Sequence, residues 1–162
     1  CFLKGVVEKN SYRKLVANLY FVYSAMEEEM EKLRQHPIVS KIYYPELNRQ
    51  QALEQDLYFY YGANWRSEVK PSPAGAAYVK QIHDIAANHP ELLVAHSYTR
   101  YLGDLSGGQI LKKIAQNAMN LDNGGTAFYE FKDISDEKAF KNQYRQAMNE
   151  LPVDQETADR IV

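Results

Sequence analysis

The sequence predicts an all-α fold built as a single domain. Three observations carry this. Apolar residues recur at intervals of three and four, as in Leu15, Leu19, Val22, Met26, Met30 and Leu33, the spacing of one helix face. The interruptions are cap-and-stop segments (His36-Pro37, Gly62, Ser72-Pro73, Asn88-His89-Pro90, Asp122-Asn123-Gly124-Gly125, Pro152) rather than alternating strands. The chain of 162 residues suffices for one core, and it contains no internal repeat or low-complexity segment.

Taken in order, Ser11 is the expected N-cap of a first helix that His36-Pro37 stops. The run Glu27–Glu31 holds four acids and one methionine, and most of them read as a solvated face. Tyr23 falls on or near the buried side. Residues 38–47 read as a connection. Asn48 opens a helix through Leu53, Leu57 and Tyr60, closed by Gly62. Ala63 to Val69 reads as irregular, with Trp65 as a packing anchor. Ser72 is a cap followed by proline at the first helical position, and Ala76, Ala77, Val79, Ile82 and Ile85 follow. Pro90 starts the longest helix. Thr126 to Phe131 is short and aromatic, either a lone strand or an ordered loop. Ser135 caps a further helix with face Phe140, Tyr144, Ala147 and Leu151, and Asp136 and Glu137 favour its first turn. Asp154 caps a last helix that reaches Val162.

Composition narrows the function classes. Charged residues are 25% and the formal net charge is -2, so no basic excess points to nucleic acid as partner. Thirteen tyrosines stand against one tryptophan, and tyrosines place hydroxyls beside apolar cavities. The one cysteine, Cys1, excludes an internal disulfide framework and fits a reducing compartment. No apolar run approaches a membrane span. The start, Cys-Phe-Leu-Lys-Gly, has neither an initiator methionine nor a signal-peptide layout. The last helix is short for one that stands alone. The expectation is a domain truncated at both ends.

The stretch Tyr98 to Leu111 carries the chemical signal. Gly103, Gly107 and Gly108 interrupt a helical apolar run, and each glycine in a helix interior costs roughly 1 kcal/mol against alanine. Gly103 and Gly107 are four apart and share a face, with Asp104 and Gly108 beside them. Such glycines let two helices pack closely. Alternatively, something flat presses on the bare main chain, with the Asp104 carboxylate at its edge and Arg100 one turn earlier. Taken alone, Asp104 reads as a helix acid paired with Arg100. Lys141 and Arg145 are also four apart, a pair that repels mildly unless an anion lies between them.

The residues from Leu92 to Gln116, L-L-V-A-H-S-Y-T-R-Y-L-G-D-L-S-G-G-Q-I-L-K-K-I-A-Q, closely resemble the distal-helix signature of heme oxygenases. The resemblance extends from Cys1 to Val162 and looks like the soluble cyanobacterial and algal members. It implies an enzyme that uses heme as substrate and cofactor, and that yields biliverdin, carbon monoxide and ferrous iron from dioxygen and reducing electrons. It further implies ferredoxin as donor, a role in bilin synthesis, and a cytoplasmic or plastid-stromal location.

By the same resemblance Asp104 orders waters beside the bound dioxygen without touching the iron, so that a proton arrives through solvent. Arg100 and Tyr23 match the same network, with Tyr78 and His96 nearby. Tyr98 contacts heme, and Gly103, Ser106, Gly107 and Gly108 lie close over the ring. Lys141 and Arg145 match residues that bind heme propionates by charge-assisted hydrogen bonds; orientation of the macrocycle then sets regiospecificity. The family's iron-ligating histidine lies on a first helix that has no match here. None of His36, His83, His89 or His96 is assigned that role, so no metal ligand is named. The rivals are a non-catalytic heme-binding scaffold, a purely structural bundle that leaves the glycines without a use, and a di-iron oxidase. The last needs Glu-x-x-His pairs, and no histidine has a glutamate three residues before it.

Overall fold

Helix α1 (Lys9–Lys32) is the axis of the fold, which a computed structural model describes over residues 2–162. Cys1 lies outside the described residues. The chain continues through α2 (Gln50–Tyr61), the short α3 (Trp65–Glu68), α4 (Pro73–Asn88), α5 (Leu93–Met119), α6 (Glu137–Asn149) and α7 (Gln155–Ile161). Short 3-10 turns join several of them, and no strand occurs among the described residues. The all-α expectation is borne out.

α1 packs chiefly on α4 and α2, and it also meets α5. Because it has neighbours on several sides, its buried face is wider than one stripe. Tyr12, Val16, Ala17, Val22, Tyr23, Ala25, Met26 and Met30 are all buried, whereas Leu15 is 44% exposed and leaves the expected face. Leu53, Leu57, Ile82, Leu93 and Val94 complete the centre at full burial, each contributing roughly 1.5–3 kcal/mol relative to exposure.

The N-cap of α1 is Glu8, not Ser11. Its carboxylate accepts from the Asn10 and Ser11 amides at 2.9 and 2.8 Å and from the Ser11 hydroxyl at 2.7 Å. Two carboxylate oxygens reach two free amides at once, which draws the helix start back by three residues. At the other end α1 stops at Lys32, short of His36-Pro37, and the His36 ring instead accepts from the Ile38 and Val39 amides.

α2 has no side-chain cap of its own. Glu27 of α1 supplies one, accepting from the Arg49 amide and from the Gln50 amide at 3.1 Å. Glu27 is therefore buried, at 5% exposure, unlike its exposed neighbour Glu28. The remaining stops follow the sequence more closely. Gly62 closes α2 at φ 83°, and Ser72 caps α4 with Pro73 at its first position. Trp65 is buried edge-on to Tyr20, although it opens a short helix rather than lying in irregular chain. A 3-10 turn at Pro90–Leu92 precedes α5, which ends at left-handed Asn120.

Thr126 to Phe131 is an ordered loop around a 3-10 turn, Ala127–Tyr129. Asp56 of α2 accepts from the Ala127 and Phe128 amides at 2.8 and 2.9 Å. Arg49 donates to the Phe128 and Glu130 carbonyls at 3.1 and 2.6 Å and stacks 3.7 Å from the Phe131 ring centroid. The cap of α6 is Asp136, one residue after Ser135, and it accepts from the Ala139 amide. α7 is capped by Asp154, as expected, and docks on the Pro90–Leu92 turn through Arg160, 3.2 Å from His89.

Candidate functional site

The glycine-bearing part of α5 presents two sides. A Cβ built on Gly103 or Gly107 meets nothing within 4 Å, so helix packing does not account for these two glycines. Ser106 is exposed on the same stretch, as is Ile110 at 63%. Gly108 does not join them. It is buried, and its Cβ position faces the Tyr129 ring at 3.5 Å. There α5 is fastened to the 126–131 loop, with Gln109 donating to the Tyr129 carbonyl at 3.0 Å and Lys112 pairing with Glu130 at 2.6 Å.

Asp104 follows the first bare glycine and points inward. Tyr23, fully buried on α1, donates its hydroxyl to Asp104 Oδ2. Burial, followed by the neighbouring Asp104 charge, holds the Tyr23 phenol well above its ordinary value, so it stays a donor. Burial pushes the Asp104 carboxyl up to about 7, while the Tyr23 hydrogen bond and the charges of Arg100 and Arg49 pull it back. Asp104 is therefore poised to take or release a proton near neutral pH.

Arg100 forms no ion pair with Asp104 within 4.0 Å, so the simple pairing across one helix turn is not what holds the acid. Its guanidinium lies 5.2 Å from the Tyr78 ring centroid, and the Tyr78 hydroxyl shares a 2.8 Å hydrogen bond with His96 Nδ1. Burial, then the Arg100 charge, lowers the His96 pKa, which favours a neutral ring. Tyr23, Asp104, Arg100, Tyr78 and His96 thus form one polar cluster.

Behind them lie three residues that the sequence did not single out. Tyr101 donates to buried Glu27 at 3.0 Å, its ring is 5.8 Å from that of Tyr23, and Arg49 adds positive charge toward Asp104. The fourfold spacing of Tyr23 and Glu27 on α1 is a faint signal of that shared face.

Tyr98 and Arg145 meet at a cavity of about 710 Å³ between α5, α6 and α7. Tyr98 also packs against Tyr144, whose hydroxyl lies 2.6 Å from Ser97 Oγ and fixes α6 on α5. Lys141 lies one turn before Arg145 and does not line the cavity. Neither cation has a carboxylate within 4.0 Å.

The site can accept a planar guest against bare backbone, with a half-buried acid at one edge and free cations on a neighbouring helix. It does not supply a histidine for the iron of such a guest. His36 binds backbone amides, His83 pairs with Glu29 at 2.8 Å, His89 meets Arg160 and His96 meets Tyr78.

Comparison with known proteins adds to this geometry. The family model for heme oxygenase matches residues 1–162. Heme oxygenase 1 of Synechocystis is 80% identical over 162 residues, covering 100% of this chain and 68% of that protein. The heme oxygenase of Pyropia yezoensis is 59% identical, over 99% of this chain and 68% of its own length. The crystal structure of Synechocystis heme oxygenase-1 in complex with heme superposes with a TM-score of 0.98, covering 99% of this chain and 73% of that one. Heme oxygenase-2 of Synechocystis, in complex with heme and NO, gives 0.97 at 50% identity, over 99% and 68% of the two chains.

Proposed function

This chain belongs to the heme oxygenase family, and we propose that α5 is the wall on which heme lies, with Asp104 as its proton-delivering carboxyl. The reaction is the oxidative cleavage of heme to biliverdin, carbon monoxide and ferrous iron with dioxygen and reducing electrons. Heme is both substrate and cofactor: when bound, it supplies the redox iron and is itself the ring that is opened.

The chain's own contribution is a surface and a proton. Gly103 and Gly107 leave main chain bare where a side chain would hold a flat molecule off, and exposed Ser106 adds a small polar group. Asp104 keeps its proton close to neutral pH because it is half-buried, and Tyr23 fixes which oxygen faces inward. Arg100 stands beside the acid and biases it toward release. With Asp104 back from the glycine surface, a water relay carries the proton without a strong acid in direct contact. Arg145 and Tyr98, at the edge of one cavity, and Lys141 on the same helix are suited to hold the two propionates and set the ring's rotation. Gly108 contributes from behind, by letting Tyr129 seat against α5.

The observation that carries this reading is the pairing of a bare helix face with a half-buried, Tyr23-bonded Asp104 one residue away. A ferredoxin as electron donor and a cytoplasmic setting, or the stroma in an alga, are part of the same proposal, as the resemblance to the cyanobacterial and algal members implies. Among the described residues no helix is long and apolar enough to cross a membrane. The test is Asp104→Ala in a chain that also carries the family's iron-ligating helix, assayed by heme titration and by bilin absorbance after reduction under air. Heme affinity is expected to persist while biliverdin formation is lost. Normal turnover by this variant removes Asp104 from the mechanism.

A further inference from the structure

Away from α5, a cleft of about 350 Å³ opens between the start of α1, the end of α2 and the start of α4. Arg13, Lys14 and Lys70 all line it. None of the three has a carboxylate within 4.0 Å, and Glu68, which also lines the cleft, pairs with none of them. The Arg13 guanidinium lies over the Tyr61 ring at 4.7 Å, which fixes its plane. Its Nε is buried without a hydrogen-bond partner, one of only two such side-chain atoms among the described residues. A buried donor left unmet is costly. Asn18 lines the same cleft, and its Oδ1 already accepts from the Ser72 amide at 2.8 Å. What Asn18 has left to offer is its N–H pair. The cleft therefore presents three cations and spare donors, with one carboxylate against them.

We infer that this cleft binds a small phosphate-bearing anion. A phosphate monoester near neutral pH carries close to two negative charges and three acceptor oxygens. It answers an arginine fork and two lysines better than a single carboxylate does. The volume is at the lower end of small-molecule sites. Tyr61 offers no stacking platform for a nucleobase on the face that Arg13 covers, so the phosphate group itself is the feature recognised. A bound anion also ties α1 to the start of α4, so the folded state is stabilised in proportion to occupancy.

The probe is inorganic phosphate, titrated into the heme-loaded protein by calorimetry and phosphorus NMR line broadening, with acetate at matched ionic strength as control. Saturable phosphate binding at least tenfold tighter than acetate is expected. Arg13→Leu should weaken it about tenfold or more, the loss of one charge-assisted bidentate contact. Lys70→Gln should weaken it less, and heme affinity should stay unchanged in both. Should Arg13→Leu not fold, the exposed pair Lys14→Gln and Lys70→Gln decides alone. Absence of saturation, equal binding of acetate, or affinity unmoved by these substitutions overturns the proposal.

Discussion

Replacing Gly103 and Gly107 by alanine separates a ligand surface from a packing surface, because the two readings predict opposite signs. Each added Cβ meets nothing within 4 Å in the protein, so only helix propensity changes. Glycine to alanine in an open helix interior gains about 0.8–1 kcal/mol, or about 2 kcal/mol for the pair. For a chain of this size that corresponds to a rise in Tm of roughly 4–8 °C. Heme binding should move the other way. A methyl thrust against a flat ring in van der Waals contact costs about 1–3 kcal/mol, by analogy with overpacking of a core, which is roughly fivefold or more in affinity.

The assay is thermal unfolding by far-ultraviolet circular dichroism on heme-free protein, paired with heme titration of the same variants. Gly75→Ala is the control. Its Cβ position lies 2.4 Å from Asn18 Oδ1, the atom that accepts from the Ser72 amide. That variant should lose about 1–3 kcal/mol of stability and keep its heme affinity. If Gly103→Ala and Gly107→Ala destabilise the protein, or if they bind heme as tightly as the parent, α5 is not the wall on which heme lies.

Two further outcomes are expected. Burial holds Asp104 at about 7 in the folded protein against an ordinary 3.8, so between these values the folded state binds more protons than the unfolded chain. The stability it contributes is greatest below about pH 4, falls as pH rises through the window, and levels off above about pH 7. Asp104→Asn should flatten this slope in urea midpoints, leaving the smaller share from Asp56, which burial raises to about 6; identical slopes would count against the half-buried acid. Lys141→Gln combined with Arg145→Gln should weaken heme retention or mix the biliverdin isomers, read by chromatography of the product. An unchanged affinity and isomer pattern would make them ordinary surface charges.

Much of the architecture was legible because its signals are local. Ser72-Pro73, Gly62 and Asp154 act within one turn of themselves, and the structure uses them as expected. The glycine face was legible for the same reason, since the fourfold spacing alone puts Gly103 and Gly107 together. Misplaced features have distant causes or near competitors. Glu27 sits in an acidic run, yet two amides of α2 and the Tyr101 hydroxyl draw it inside. Glu8 outcompetes Ser11, and Asp136 outcompetes Ser135, by reaching free amides from one or more residues away. Spacing groups Gly108 with its neighbours, but only the position of Tyr129 in three dimensions shows that it serves the back of the helix.

The fastening of α5 to the 126–131 loop has a mechanical consequence. At Gly108, Gln109 and Lys112 the helix is clamped from behind, and that loop is itself anchored by Asp56 and Arg49. Ahead of the clamp, at Gly103, the rod is unweighted on its outer side. Because Tyr101 and Asp104 also tie the span to α1 from within, the bare stretch is a shelf propped from beneath on either side of Gly103.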